Sequence, residues 1–451
     1  MNRYIVISAL LTVLSTEGNA AADIGNKALD SINNKILNES LIEDKIKLDK
    51  EFYKELPKEV VGEINRSLNR IDAVAETTVN PLKQDVAVTE IKNTIGQTVY
   101  VEVEVEAGWR AIDREWLITA NSDEVRLLET LGAEIKEHQR LDNLELLVVR
   151  FKIPRNQNEK DIIGQLPERL KRQLGRNHVY EASQSHSNED GKAQGNEILY
   201  SVCNKPIKVG MIDTAINTDH PTFKAVDIKQ KQFTKEAVKT PTAHGTAVAS
   251  LLAGKDQLTP LLSQTTLYAA SVFYPRNNYS QGAPLINLIK ALDWLAGENV
   301  EVINMSLTGP ANPILEAAIN QALKQDITIV AAAGNEGPAA SPRFPAAYKK
   351  VVAVTAVDNN DEIYRWANQG EYIDFSALGV LVKTARVSNG SGYEYGLESG
   401  TSIATPVVTA KVACQIIKDK TKKNIISNLE LEAIDLGDPG RDPVYGYGKL
   451  E

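Results

Sequence analysis

Cysteine is nearly absent from this chain of 451 residues, which carries only Cys203 and Cys414. One pair cannot form the disulfide scaffold that holds small exported domains together, and the two are read as separate buried thiols. Histidine is scarce as well. The five, at 138, 178, 186, 220 and 244, lie at no metal-ligand spacing from one another or from a cysteine, so no zinc site is expected. Positive charge is in the minority: 50 basic residues against 59 acidic ones give a net charge of −9 and a pI near 5.4. With no basic domain in view, a nucleic-acid partner is excluded. Membrane-length apolar runs are also missing. The run YIVISALLTVLS at 4–15 follows Arg3 and precedes the small residues GNAAA at 18–22. It is too short to span a bilayer and has the layout of a secretory signal peptide over 1–22. A secreted or periplasmic protein with no membrane span after signal removal is therefore expected.

What remains divides into regions. Residues 23–105 are polar and charge-rich with helical patches, and read as a charged helical segment of unassigned role. Over 106–182 the pattern gives a strand at 116–120 and a helix at 122–131 with Ser122 as its cap. Strands at 133–141 and 144–153, a helix at 159–174 and a strand at 177–182 follow. That β-α-β-β-α-β order predicts a small ferredoxin-like α+β domain. Residues 183–200 begin small, polar and aperiodic, and read as an exposed linker. From 201 to 451, apolar strands at 207–212, 266–273, 300–307, 327–333 and 351–357 are separated by helices. Strands apolar on both faces with helical crossovers predict a three-layer α/β domain around a mostly parallel sheet.

Ligands in such sheets gather at the carboxyl ends of the strands. There the sequence places Asp213 after VGMI, and Asn335 after VAAAG. His244 and Ser402 open helices within TAHGTAVAS and SGTSIATP. A serine hydroxyl becomes a nucleophile when a histidine takes its proton, and a buried carboxylate fixes that histidine's tautomer. An asparagine amide and a backbone N–H at a helix start would stabilise the oxyanion. Gly334 and Gly400 would permit close backbone approach. Each piece has an ordinary reading too: Ser402 as a helix cap, Asp213 and GNEG as turn residues, His244 as a satisfied helix-start histidine. The joint pattern favours acyl transfer.

The segments VGMIDT, HGTAVA, VINMSL, AGN and GTSIATP, in that order, resemble the subtilisin-like serine peptidases over about 205–450. The resemblance implies a secreted endopeptidase made as a zymogen and acting on protein or peptide substrates, with no cofactor required. It implies Asp213 as orienting acid, His244 as general base, Ser402 as nucleophile and Asn335 as oxyanion donor. Ser306, Leu307, Thr308 and Gly309, together with Ala332, Ala333 and Gly334, would bind the substrate backbone and line its first side-chain pocket. Arg343 aligns with the base of that pocket, where it would favour acidic side chains, or else is a surface arginine paired with a carboxylate. Residues 106–182 resemble the family's inhibitory propeptide, with self-cleavage in the linker.

There are departures. Ala247 and Ser250 stand where the family often has histidine and glycine, and Ala215 replaces a usual glycine. Thr222 takes the place of a calcium-ligating aspartate and no calcium loop is visible in 252–262, so the strong calcium site is not expected. Ile403 replaces the methionine beside the nucleophile. A binding module that has lost catalysis would share the fold. A lipase would show glycine two residues after its serine, where this chain has Ala404.

Overall fold

A computed structural model of the chain describes residues 88–451 apart from 183–194, 199, 236, 278–279, 388–391, 420–421 and 423. The signal peptide, most of the 23–105 segment and most of the linker lie outside the described residues. Residues 88–182 form β1 (Val88–Lys92), β2 (Thr98–Glu104), β3 (Arg110–Thr119), α1 (Ser122–Thr130), β4 (Glu134–Leu141) and β5 (Leu146–Lys152), then α2 (Glu159–Gly164), α3 (Glu168–Lys171) and β6 (Leu174–Ala182). The pairs are antiparallel, with β3 flanked by β5 and β6, and β4 outside β5. The β-α-β-β-α-β order over 106–182 is present with two corrections. The helix expected across 159–174 is broken, because Pro167 has no N–H to donate and stands at the start of α3. The cap of α1 is Asn121 rather than Ser122. Its Oδ1 accepts from the Asp123 and Glu124 amides at 3.0 and 3.1 Å, and the Glu124 carboxylate accepts from the Asn121 N–H at 2.8 Å.

A larger correction concerns residues 88–104, which are not helical. They fold as the β1–β2 hairpin, whose second strand continues the sheet through β3. The sequence TVYVEVE alternates at period two, which suits a strand, and the face that is buried carries Tyr100 and Glu102.

The larger domain begins at β7 (Ile207–Asp213). It continues through β8 (Asp227–Gln232), α4 (Ala243–Ala253), β9 (Thr265–Ser271), β10 (Tyr274–Pro275), β11 (Gln281–Pro284), α5 (Leu285–Gly297) and β12 (Val302–Met305). Then come β13 (Leu307–Thr308), α6 (Pro313–Lys324), β14 (Thr328–Ala332), β15 (Val352–Val357), β16 (Phe375–Leu378), the β17–β18 hairpin (Val382–Val387, Tyr393–Glu398), α7 (Thr401–Lys418) and α8 (Ile425–Glu432). Seven strands run parallel in the order β16-β15-β14-β12-β7-β9-β8. Successive residues of the central strands serve opposite faces. Val209, Met211, Val302 and Val330 pack with Val248, Leu252 and Val407 from α4 and α7. Ile212, Ile303 and Ile329 pack with Leu288, Leu292 and Ile319 from α5 and α6. Two apolar faces covered by helices make the three layers the apolar runs demanded.

The smaller domain has its own core of Ile118, Val125, Leu128, Val149, Phe151 and Leu170. It also lends Leu117, Leu141, Leu144, Val148 and Tyr180 to the core beneath α5 and α6.

One expectation changes at the linker, and the cysteines stay unbridged as expected, although Cys203 is only half-buried. Asn196 bridges Val382, its N–H donating to the Leu381 carbonyl at 2.7 Å, and Ile198 is buried, so this end of the linker is anchored at those two residues while Glu197 and Tyr200 stay exposed. The cysteines are free thiols, yet they are neighbours. The Cys414 thiol donates to the Val202 carbonyl at 3.1 Å, and burial together with its hydrogen bond to Cys203 pushes it up to about 12.

Candidate active site

Asp213 is the last residue of β7, His244 the second of α4 and Ser402 the second of α7. Asn335 follows β14 by three residues. Asp213 is fully buried, and its Oδ1 accepts from His244 Nδ1 at 2.7 Å. A carboxylate can only accept, so the imidazole proton lies on Nδ1 and Nε2 is left as the basic nitrogen. The same Oδ1 accepts from the Thr214 N–H at 2.6 Å, and the Thr214 hydroxyl accepts from the Gly245 N–H at 2.7 Å. The strand end therefore holds the start of the histidine helix directly.

Ser402 does not cap its helix. Gly400 is the cap position and Ser402 lies one residue inside, fully buried. Asn335 reaches it from the neighbouring strand end. Its Oδ1 accepts from the Thr401 N–H at 3.0 Å and from the Thr401 hydroxyl at 3.1 Å, which fixes the side-chain amide. A Cβ at Gly400 would sit 3.0 Å from Asn335 Nδ2 and 3.4 Å from Ser402 Oγ. These two atoms therefore flank one point that only glycine leaves open. A second tie comes from Ser306, whose hydroxyl donates to the Ser402 carbonyl at 3.0 Å. In a regular helix that carbonyl would take the N–H of residue 406, which is Pro406 and has none. Asn304 Nδ2 donates to Ser306 Oγ at 2.9 Å, and the Thr409 hydroxyl donates to Asn304 Oδ1 at 3.0 Å, so the substitute bond is itself held in place.

The strip Ser306–Gly309 is occupied. β6 lies in it as a middle strand, pairing Leu307 with Ala182 and Thr308 with Glu181 on one side. On the other side it pairs Ala283 with Tyr180 and Pro284 with Val179. Ala332, Ala333 and Gly334 lie beside the strip, where the Tyr372 hydroxyl donates to the Ala333 carbonyl at 3.0 Å. Burial pushes that hydroxyl up to about 12, so it stays a donor. Arg343 has its Nε 3.3 Å from Glu336 Oε2, and its guanidinium stacks 4.4 Å from the Trp109 ring. It thus has the carboxylate partner of the second of its two readings. Of the departures, Ser250 ties α4 to β17, its hydroxyl donating to the Ala247 carbonyl at 2.7 Å and accepting from the Ala385 N–H at 3.0 Å. The Thr222 hydroxyl donates to the Lys255 carbonyl at 2.5 Å, and among the described residues no group of three His, Cys, Asp or Glu is placed to hold a metal.

Sequence reasoning missed Asn304 and Thr409, and it missed Trp109 and Arg276 near the cleft. The first two had a signal, since Pro406 inside a helix requires some donor for Ser402. The others had none.

Comparison with known proteins identifies the family. The Subtilase family (Peptidase S8) matches residues 204–448. Minor extracellular protease Epr of Bacillus subtilis is 29% identical over 253 residues, covering 55% of this chain and 38% of that protein. Subtilisin DY of Bacillus licheniformis is 32% identical over 252 residues, covering 54% of this chain and 87% of that protein. The structure of fervidolysin from Fervidobacterium pennivorans, a keratinolytic enzyme related to subtilisin, aligns with a TM-score of 0.62 at 18% identity. It covers 81% of this chain and 62% of that one, so the likeness of fold extends beyond the family segment. The chain belongs to the subtilase family, and it is a subtilisin-like serine peptidase.

Proposed function

We propose that the protein is an exported endopeptidase made as a zymogen, in which residues 88–182 guard the site until the chain cuts itself just beyond Ala182. The observation that supports this best is β6, which is seated as the central strand of an antiparallel ladder between β11 and β13, and β13 follows the Ser306 whose hydroxyl donates to the Ser402 carbonyl. An extended peptide bound there has its backbone hydrogen bonds made on both edges, the usual way a protease holds a substrate strand. Tyr180 deepens the grip. It is fully buried, its hydroxyl donates to the Pro310 carbonyl at 2.8 Å, and its ring lies where Gly309 leaves no room for a Cβ.

In the reaction, His244 Nε2 takes the Ser402 hydroxyl proton as the oxygen attacks the scissile carbonyl. Asp213 holds the ring by its Nδ1–H and balances the imidazolium charge. The Asn335 amide and the Ser402 N–H, at the positive end of α7, receive the oxyanion. The imidazolium then protonates the leaving amine, and water releases the acyl group from Ser402 by the same steps in reverse. Export rests on the N-terminal layout of the sequence and on relatives that include an extracellular protease.

The test is intact mass over time for the full chain beside its Ser402→Ala version. Splitting close after residue 182 in the wild type alone supports the reading. An intact wild type, or equal splitting of both, counts against self-processing.

A further inference from the structure

Arg276 follows β10 at the rim of the occupied cleft, with only 8% of its side chain exposed. Its Nε donates to Glu102 at 2.9 Å and its Nη1 to Glu181 at 2.5 Å, while Nη2 is buried without a hydrogen-bond partner among the described residues. The guanidinium passes close to β11, since a Cβ at Gly282 would stand 3.1 Å from its Nε. Glu102 is fully buried and also takes the Tyr274 hydroxyl at 2.8 Å and Arg110 Nε at 2.6 Å. Both carboxylates that meet Arg276 therefore belong to the region proposed to leave. A cation this deep in protein is costly without a partner, because burial removes most of its water.

The strand β6 shows what replaces them. Alternate residues Tyr180 and Ala182 face the interior, whereas Glu181 points the other way, 48% exposed and toward Arg276. A substrate strand in the same register puts its own residue at the place of Glu181. We propose that Arg276 is a specificity residue that selects an acidic side chain at that position, opposite Thr308, so that the favoured substrates alternate apolar, acidic and small. The inference rests on the zymogen reading, and it moves the acidic preference away from Arg343, which is already paired with Glu336.

Fluorescence-quenched peptides copying residues 176–187, with Glu, Gln or Lys at position 181, test it on the self-processed enzyme. A charge-assisted bond that is half open to water should favour Glu over Gln by about fivefold in kcat/KM, with Lys slowest. In Arg276→Gln the ratio of Glu to Gln should fall close to one, and Arg276→Lys should keep part of it. The wild-type series stands even if the variants fold poorly. Equal rates for Glu and Gln in the wild type would overturn the inference while leaving the peptidase reading intact. No cleavage of any peptide would overturn both.

Discussion

Strand β4 reads EIKEHQRL and hides almost nothing but its last residue, whereas β15 reads VAVTAV and hides every residue. The two large sheets differ in this way at most of their strands, though β8 at the edge of the parallel sheet (DIKQKQ) is exposed and β6 is largely buried. The parallel sheet has a core on each face, built from its own strands and helices. The N-terminal sheet has one small core of its own and completes its burial on α5 and α6. Beyond that core it has internal ion pairs such as Arg150 with Glu115 and Glu137, both at 3.1 Å, and Arg176 with Glu106 at 2.8 Å. It is tied to the larger domain by the pairing of β6, by Glu102 and Glu181 on Arg276, and by a small cluster of Tyr100, Ile112 and Val179 with Val238 and Tyr274. A domain that borrows part of its core loses that burial when it separates. The lesson is that the N-terminal domain draws part of its stability from the larger domain, which fits the guard role proposed for it.

Four changes would break or sharpen this contrast. The largest effect belongs to the larger domain alone: Asp213→Asn should lower kcat by about 10⁴-fold by misorienting His244, with the fold unchanged by circular dichroism. Second, Ile303→Ala and Leu128→Ala both empty fully buried sites and should each cost about 2–5 kcal/mol locally. Only Ile303→Ala should lower the urea midpoint of the processed enzyme. If Leu128→Ala lowers it equally, the two regions do not part.

Third is pH. Burial, helped by Arg176 and opposed by Glu106, brings His178 on β6 down to about 4. Its Nδ1 lies 3.0 Å from Asn312 Nδ2 of the larger domain. A base with a depressed folded value supports the bound state fully above its ordinary value of 6.5, and that support fades as pH falls toward 4. The cut N-terminal domain should therefore bind about tenfold more weakly at pH 5 than at pH 7, measured by inhibition of peptide hydrolysis. His178→Gln should flatten the dependence. The smallest effect is at Ile403, fully buried beside Ser402 and without a thioether. Activity should persist in dilute peroxide, and rapid loss with oxidation confined near Ser402 would refute this.

Five of the seven parallel strands were legible because apolar runs such as VGMI and VINM admit few other fates, whereas the exposed edge strand β8 (DIKQKQ) and the short β16 (FSAL) carried no such run. The β1–β2 hairpin was not legible either. Glu102 and Glu104 made its strand look solvated, and nothing local reveals that Glu102 meets Tyr274 and Arg276 far along the chain. That the free thiols of Cys203 and Cys414 lie within hydrogen-bond reach was hidden for the same reason. The cap at Asn121 was in reach, since Glu124 completes its box, but Ser122 competed one residue later.

The bond from Ser306 to the Ser402 carbonyl has a consequence for how substrates are measured. Because Pro406 leaves that carbonyl to Ser306, the strip beside β6 and the helix that carries Ser402 share one joint. On the proposed reading the cleft would work as a ruler whose zero mark is the Ser402 hydroxyl oxygen. A peptide that slipped by one residue would turn every side chain to the wrong wall, so the register of the bound strand would be checked before the cut.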